Sequence, residues 1–463
     1  MIDVGDELRR EDFGTDFTWG VASASYQIEG AATADGKGPS IWDTFTHRRG
    51  KIADASTGDT ACDFYHRYPE DLALTAGLGF GATRLSVSWP RVLPDGTGRV
   101  NAAGVDFYSR VVDACLEVGL EPWITLYHWD LPQALQDRGG WADRDVLGWF
   151  EEYCAVVAGA LGDRVRHWMV FNEPLSFTVV GHLVGVHAPG VRNPRKFLAA
   201  VHHVNLAQGV GAAVVRDRVP GAAVGTCQYL APVRATGSSA LHERARRSGD
   251  AFVNRTFVEP NLGLGYPDAD CPFLRGVRRY QRDGDDEAIK VDWDFLGVQY
   301  YTYLKAPPLP IPGLWTAPLF GRDWRRYELT STGWEVRPEG LYDVLERAHS
   351  YGRFPSIVVT ENGAAFPDAV VDGRCHDPRR VGFYRAHLAQ VRRAIRSGIP
   401  VDGYLCWTLT DNFEWAEGQR ARFGLVHLDF ETQARVVKDS GRFFAEFLAG
   451  DGAGSGDASG EHV

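Results

Sequence analysis

Several common features are missing from this 463-residue sequence. No segment approaches the run of about 18 uninterrupted apolar residues that a membrane-spanning helix needs, and residues 1–7 are acidic and carry no apolar stretch of the kind found in signal peptides. Basic residues are outnumbered, with 49 Lys and Arg against 60 Asp and Glu, which gives a formal net charge of −11. We therefore expect neither a nucleic acid nor an anionic membrane to be the main partner, because both require a basic surface.

The sequence also lacks the usual motifs of metal and cofactor sites. Its seven cysteines are widely spaced and contain no Cys-x-x-Cys pair, which predicts reduced, mostly buried thiols in a cytoplasmic protein. No His-Glu-x-x-His, P-loop or clustered Cys and His spacing is present, so we expect no metal and no cofactor. The nearest glycine-rich candidate, 77–81, follows a predicted helix and precedes a predicted strand. That order is wrong for a dinucleotide site and argues against a doubly wound open sheet.

What the sequence does contain is a regular alternation of strand and helix patterns. Strands are predicted at 17–24, 82–88, 121–127, 165–171, 222–229, 293–301, 356–360 and 403–408. Helices are predicted at 66–76, 101–118, 143–161, 194–217, 241–257, 338–350, 377–396 and 438–448. This order predicts an α/β protein, a single (β/α)8 TIM barrel with elaborated βα loops over residues 1–449. An irregular aromatic insertion follows the sixth strand at 305–335, and we expect the Gly/Ser/Asp tail at 450–463 to be disordered.

Two glutamates stand at the ends of predicted strands. The β-branched run 357–359 leads into Glu361, and the apolar run 168–171 leads into Glu173, which a proline follows. Parallel strands of one barrel would bring both side chains to the same mouth. A pair of carboxyl groups beside a cleft is what glycoside hydrolysis requires, one to protonate the leaving oxygen and one to attack the anomeric carbon or to activate water.

Other polar and aromatic residues follow the predicted strands and should meet the two glutamates at this mouth. The set comprises Gln27, Glu29, Arg84, His128, Trp129, Asn172, Tyr301 and the segment 407–415. A carboxylate that attacks carbon must be ionised, which Arg84 and Tyr301 would favour as neighbouring donors. The acid must keep its proton, so apolar surroundings and the other carboxylate should raise its pKa.

Five longer motifs carry more information than these single residues. They are ASYQIEG at 24–30, LYHWDLP at 126–132, FNEP at 171–174, TENG at 360–363 and DNFEWAEG at 411–418. Together they resemble the β-glucosidases of glycoside hydrolase family 1, over about residues 13–447. The resemblance implies a retaining enzyme with Glu361 as nucleophile, Glu173 as acid/base and no cofactor. The substrate-binding residues that it implies are Gln27, His128, Trp129, Asn172, Gln299, Trp334, Trp407, Glu414, Trp415 and Phe423.

The resemblance also indicates the kind of substrate. Asn172 is expected on the sugar's 2-hydroxyl, Trp407 beneath the ring and Trp334 on the aglycone side. Glu414 can accept hydrogen bonds from two neighbouring hydroxyls and would repel a phosphate. This favours small unphosphorylated β-glucosides or short β-linked oligosaccharides, with β-galactosides and β-fucosides as further substrates. Two alternatives stay open, a transglycosidase and a catalytically silent sugar-binding barrel, although the latter should lack one carboxylate. No oligomeric state is predicted.

Gln299 departs from the pattern, because the family usually has asparagine before Tyr300 and Tyr301. The glutamine side chain is one methylene longer and still offers an amide, so it should reach differently into the site. We expect Gln299→Asn to keep activity but to change the ratio of kcat/KM values among substrates with different leaving groups. Steady-state kinetics on aryl and sugar β-glucosides measures these ratios, and a variant that left all of them unchanged would contradict the prediction.

Overall fold

The computed structural model describes residues 8–450, and its centre is a closed barrel of eight strands. In chain order the strands are β1 (Thr18–Ala22), β2 (Ala82–Ser86), β3 (Glu121–Tyr127), β4 (His167–Asn172), β5 (Ala223–Tyr229), β6 (Phe295–Gln299), β7 (Ser356–Asn362) and β8 (Val401–Trp407). All neighbouring pairs are parallel and follow the order of the chain. β1 closes the barrel by pairing with β8, from Thr18 opposite Gly403 to Ala22 opposite Trp407.

One main helix follows each strand. These helices are α1 (Phe64–Gly77), α2 (Ala102–Glu117), α3 (Val146–Leu161), α4 (Pro194–Arg218), α5 (Ala240–Asp250), α6 (Glu339–Ser350), α7 (Pro378–Arg396) and α8 (Asp439–Ala449). Short α-helices in the loops are Ser25–Ile28, Ile41–Thr46, Trp89–Val92, Gln133–Asp137, Pro174–Thr178 and Asp285–Ala288. Short segments of 3₁₀ or π helix are Arg10–Phe13, Ala34–Gly36, Gly140–Ala142, Val179–Val184, Ala251–Arg255, Pro272–Arg279 and Trp415–Glu417. The fold is a (β/α)8 TIM barrel with elaborated loops, as predicted.

The barrel forms because its strands are apolar on both faces. In β7 the consecutive residues Ile357, Val358 and Val359 are all buried, as are the residues of β4 from Trp168 onward. Such runs suit strands that face the barrel interior on one side and a layer of helices on the other. α3 covers its part of the barrel with buried residues at helical spacing, among them Trp149 and Tyr153.

α4 is long and apolar enough to cross a membrane by length and composition alone. Its most apolar window of 18 residues is 78% buried inside the protein, because it packs against α3 and against β4 and β5. Asn193 caps its N-terminus by accepting hydrogen bonds from the backbone N–H groups of Arg195 and Lys196. These contacts are those of a core helix.

Most predicted elements differ from the observed ones by up to three residues at their ends, and two of the differences in boundary are informative. The helix expected at 241–257 ends as an α-helix at Asp250 and continues as a π turn, where the Asn254 side chain hydrogen-bonds the backbone N–H and carbonyl of Ala231. This contact with the strand-end loop competes with regular helical geometry. β7 extends to Asn362 rather than ending at 360, so Glu361 lies within the strand.

The predicted insertion at 305–335 takes part in a small sheet. Leu304–Ala306 pairs with Leu319–Phe320 on one side and with Val233–Ala235 on the other. Two further hairpins join Val370–Val371 to Arg374–Cys375 and Val426–Leu428 to Arg435–Val437. All seven cysteines are free and buried, as predicted. Apart from Gly450, the tail at 450–463 lies outside the described residues.

A cluster of buried charges joins the loop after β8 to α7 and α8. Its members are Asp368, Asp377, Arg380, Asp411 and Lys438, whose side chains are at most 1% exposed. Lys438 Nζ lies 2.5 Å from an oxygen of Asp368 and 2.7 Å from an oxygen of Asp411. Arg380 joins Asp368 to Asp377 in the same way. Burial opposes ionisation of Asp411, but Lys438 and Arg380 hold its pKa below the usual value.

We expect Lys438→Met to destabilise the protein by about 3–5 kcal/mol, because it leaves two buried carboxylates without their shared cation. Chemical denaturation followed by tryptophan fluorescence measures the change. Lys290→Met is the matched control, because Lys290 is 45% exposed and pairs with Glu287 on the surface; it should change stability by less than about 0.5 kcal/mol. Equal effects of the two substitutions would contradict the prediction.

Candidate active site

Glu361 lies near the carboxyl end of β7 with donors to both of its carboxylate oxygens. Arg84 Nη1 lies 2.5 Å and Gln299 Nε2 2.7 Å from Oε1, while the Tyr301 hydroxyl donates to Oε2 over 2.7 Å. Glu361 is 3% exposed and Arg84 is fully buried. Burial raises the pKa of Glu361 above its ordinary value, and the Arg84 guanidinium and the Tyr301 hydroxyl limit this rise. Of the carboxyl groups at this mouth, Glu361 has the direct cationic partner, so it is the one that ionises first.

Glu173 follows β4 directly and starts the short helix Pro174–Thr178. Its backbone N–H donates to the carbonyl of Cys227 on β5, which fixes the chain at this point. Burial, and next the negative charge of Glu361, raise the pKa of Glu173 to about 8. Glu173 therefore holds a proton at neutral pH, and Glu361, which has the cationic partner, ionises before it.

Asn172 links the two sides of the site. Its Oδ1 accepts hydrogen bonds from Arg84 Nη2 at 2.5 Å and from Gln299 Nε2 at 2.6 Å. These contacts fix the amide orientation, so Nδ2 faces His128 Nε2 at 2.9 Å. Burial, and then the charge of Arg84, lower the pKa of His128 well below its usual value. His128 is therefore neutral, accepts at Nε2 and carries its hydrogen on Nδ1.

Glu414 lies in the loop after β8 and is held by Gln27 from the loop after β1. Gln27 Nε2 lies 3.1 Å from Glu414 Oε2 and 2.9 Å from the carbonyl oxygen of Phe413. Burial, and next the charge of Glu361, raise the pKa of Glu414 to about 8. The Trp407 indole and the Gln27 amide partly offset this shift by donating to the carboxylate.

Aromatic rings line two parts of the mouth. On one side the rings of Trp407 and Trp415 stack against His128, with centroids 6.1 and 5.9 Å away, and Trp129 packs on Trp415 at 4.5 Å. Trp129 is also fixed by its indole N–H, which donates to the carbonyl of Asn172. Flat apolar rings beside polar groups suit a sugar, whose faces are apolar and whose edge carries hydroxyls.

The second aromatic group lies beside Tyr301. Trp334 is 5.5 Å from the Tyr301 ring and Phe423 is 6.3 Å from it, and Trp334 and Phe423 are 6.2 Å apart. The group extends outward through Phe320, which lies 5.3 Å from Trp334. This aromatic group connects the insertion after β6 to Tyr301, whose hydroxyl donates to Glu361.

Gly363 allows the chain after Glu361 to pass close to β8. A Cβ at this position would lie 1.9 Å from the carbonyl oxygen of Trp407, a distance that no other residue could accept. The glycine of the TENG motif therefore brings Glu361 and Trp407 to the same part of the mouth.

Several buried polar atoms around this mouth have no hydrogen-bond partner within the described residues, and four of them concern the site. They are Gln27 Oε1, His128 Nδ1, Tyr229 Oη and Gln299 Oε1. Buried polar groups are normally paired, because an unpaired one is costly. A ligand with several hydroxyl groups, each of which both donates and accepts, matches this mixture of donors and acceptors.

The family described as glycosyl hydrolase family 1 matches residues 9–453 of the sequence. The chain belongs to glycosyl hydrolase family 1. As a family 1 member it is an enzyme, a glycoside hydrolase, and the predicted resemblance is confirmed.

Relatives of known function cover almost the whole family 1 chain. It is 43% identical to β-glucosidase A of Thermotoga maritima over 95% of this chain and 98% of that protein. It is 40% identical to the bifunctional β-D-glucosidase/β-D-fucosidase of Bifidobacterium breve over 94% and 98% of the two chains. The solved structure of the family 1 β-glucosidase from Thermotoga maritima superimposes with a TM-score of 0.89 at 42% identity, over 94% and 98% of the chains. Another structure of the Thermotoga maritima enzyme, in complex with glucoimidazole, superimposes with a TM-score of 0.88 at 43% identity, over the same shares.

The structure brings nearly all of the predicted site residues of this family 1 chain together. The exception is Glu29, which follows β1 but binds Arg91 at 2.9 Å and the Tyr108 hydroxyl at 2.6 Å, away from the contacts around Glu361. Sequence reasoning missed Tyr229, the last residue of β5. The available signal was that Tyr229 ends the fifth predicted strand, the one predicted strand from which no residue entered the predicted set.

Proposed function

We propose that the chain is a retaining β-glucosidase that hydrolyses terminal non-reducing β-D-glucosyl residues by double displacement. Glu361 is the nucleophile and Glu173 is the acid/base. The observation that carries this assignment is the unequal supply of donors, because Arg84, Gln299 and Tyr301 all point to Glu361. Glu173 is buried beside that charge and keeps its proton.

In the first step a Glu361 oxygen attacks the anomeric carbon. The bond from that carbon to the leaving oxygen breaks, and Glu173 gives its proton to the leaving oxygen. The product is a glycosyl ester of Glu361, which no longer carries a charge. The pKa of Glu173 then falls, because the neighbouring negative charge has gone.

In the second step Glu173, now a carboxylate, takes a proton from a water molecule. The water oxygen bonds to the anomeric carbon as the ester bond to Glu361 breaks, and the released carboxylate returns to Arg84 and Tyr301. Two displacements at the same carbon leave its configuration unchanged. Both glutamates regain their starting protonation states.

The glucosyl unit is held by the polar groups around Glu361. Asn172 Nδ2, His128 Nδ1 and Gln27 Oε1 supply donors and an acceptor for hydroxyls, and Trp407 lies beneath the ring. Glu414 offers its two carboxyl oxygens to two neighbouring hydroxyls. The name of the Bifidobacterium breve relative supports β-fucosides as additional substrates, and Trp334 and Phe423 provide apolar surface for the aglycone.

The other predictions made from the sequence remain predictions. Transfer of the sugar to an acceptor would use the same glycosyl ester, so it is a variation on the proposed reaction. The silent barrel is disfavoured because both carboxylates are present and buried side by side. The cytoplasmic location rests on the free, buried thiols.

Incubation with a 2-deoxy-2-fluoro-β-glucoside that has a reactive leaving group tests the nucleophile. The fluorine slows both steps and the leaving group speeds the first, so we expect the glycosyl ester to accumulate as one added sugar on the peptide that contains Glu361. Intact mass and peptide mapping measure this. Glu361→Gln should stay unlabelled, whereas Glu173→Gln should still label. An unlabelled protein that hydrolyses the ordinary β-glucoside would point to an inverting mechanism, and a label on another peptide would refute the assignment of Glu361.

The pH profile tests the acid. Since the pKa of Glu173 is raised to about 8, the acid is protonated below that pH, and kcat/KM for an aryl β-glucoside should fall as the pH rises through it. Glu173→Gln should lower kcat/KM by about 10²- to 10⁴-fold for poor leaving groups. It should also remove the decrease of kcat/KM at alkaline pH, called here the alkaline fall, because an amide does not ionise. Glu414 has a similar pKa, so Glu414→Gln is the control that should retain the fall. An alkaline fall that survives in Glu173→Gln and disappears in Glu414→Gln would reverse the assignment.

A further inference from the structure

Strand β5 presents alternate residues to its two faces. The Thr226 hydroxyl donates to Gln208 Oε1 over 2.8 Å, and Gln228 Nε2 donates to the same oxygen over 3.3 Å. Gln208 lies on α4, outside the barrel. Because side chains alternate along a strand, Cys227 and Tyr229 face the opposite way, into the barrel.

The surroundings of Cys227 agree with this direction. A Cβ on Gly297 of β6 would lie 2.7 Å from the Cys227 sulfur, and the charges of Arg84 and Glu361 both act on the thiol. Tyr229 stands two residues further toward the mouth. In the sheet it is paired with Gln299, whose amide holds Glu361. Tyr229 therefore stands at the rim between Gln299 on one neighbouring strand and Glu173 at the end of the other.

The Tyr229 hydroxyl is shielded from solvent and has no hydrogen-bond partner among residues 8–450. The side chain as a whole is half-buried. Burial, and next the charge of Glu173, raise the pKa of the phenol, so the hydroxyl keeps its hydrogen and can donate. A shielded hydroxyl without a partner is costly to the free protein, and the cost disappears when a ligand supplies the partner.

The position of β5 in the barrel decides which part of a substrate this hydroxyl meets. β5 is the fourth neighbour from β1 in either direction around the eight-stranded barrel, so the two strands face each other across it. Gln27 and Glu414, which hold the glucosyl unit in the proposed function, follow β1 and its neighbour β8. Tyr229 is on the far side, next to the acid that faces the leaving oxygen.

We propose that the Tyr229 hydroxyl binds a hydroxyl group of the leaving group, so that this chain selects sugars and other polyols on the aglycone side. The inference rests on the proposed function, because the leaving side is defined by Glu173 as the acid. The same contact would bind a sugar acceptor when the glycosyl ester is resolved by transfer.

Tyr229→Phe removes only the hydroxyl and tests this inference. The kcat/KM for cellobiose should fall by about 2- to 12-fold, the effect of one neutral hydrogen bond, while kcat/KM for a p-nitrophenyl β-glucoside, whose leaving group has no hydroxyl beside the scissile bond, stays within about two-fold. With glucose added as acceptor, the ratio of transfer to hydrolysis should fall by a similar factor.

Tyr266→Phe is the matched control, because its hydroxyl bonds His202 Nδ1 over 3.0 Å outside the barrel. It should leave the ratio of the two substrates unchanged. The aryl glucoside also reports whether Tyr229→Phe has folded, so an equal loss on both substrates, or no loss on either, would overturn the inference. A parent protein that hydrolyses neither substrate would instead overturn the proposed function on which the inference rests.

Discussion

The ion pair between Arg84 and Glu361 is the interaction on which the chemistry of this protein depends. Both side chains are buried, so neither charge is stable there without the other. Once Glu361 is held as an anion, its charge raises the pKa of Glu173 and of Glu414. One buried cation thus sets the protonation of three carboxyl groups, and the two glutamates proposed for catalysis differ because only one of them touches it.

Arg84 can fix the charge of Glu361 because residues on several strands of the barrel bind its guanidinium group. Its Nε donates to the Thr125 hydroxyl on β3 and its Nη2 to Asn172 on β4, while Nη1 reaches Glu361 on β7. Each of these residues lies near the carboxyl end of a different strand. Barrel closure is therefore what assembles the charge network, and the geometry around Glu361 is fixed by packed strands rather than by mobile loops.

Much of this arrangement could be predicted from the sequence, and the remainder was hidden for physical reasons. Strand and helix order follows from local patterns, since runs such as 357–359 and 168–171 are apolar whatever surrounds them. The two glutamates were predictable because each stands two residues after such a run. Glu29 also follows a strand, yet its partner Arg91 is 62 residues away and no local pattern reveals that pair. Tyr229 ends a predicted strand, but the missing partner of its hydroxyl becomes visible only when its neighbours are in place.

The buried charge cluster and the closing strand pair show which part of the chain completes the sugar pocket. Asp411, which lies in the loop that carries Glu414, is neutralised by Lys438 immediately before α8, and Asp377 accepts hydrogen bonds from Ser440 within that helix. β1 likewise gains its closing neighbour only when β8 has been made. A nascent chain that already contains both Glu173 and Glu361 therefore still lacks a fixed sugar pocket. The sugar pocket is therefore completed by β8 and by the residues around α8, the last barrel elements along the sequence.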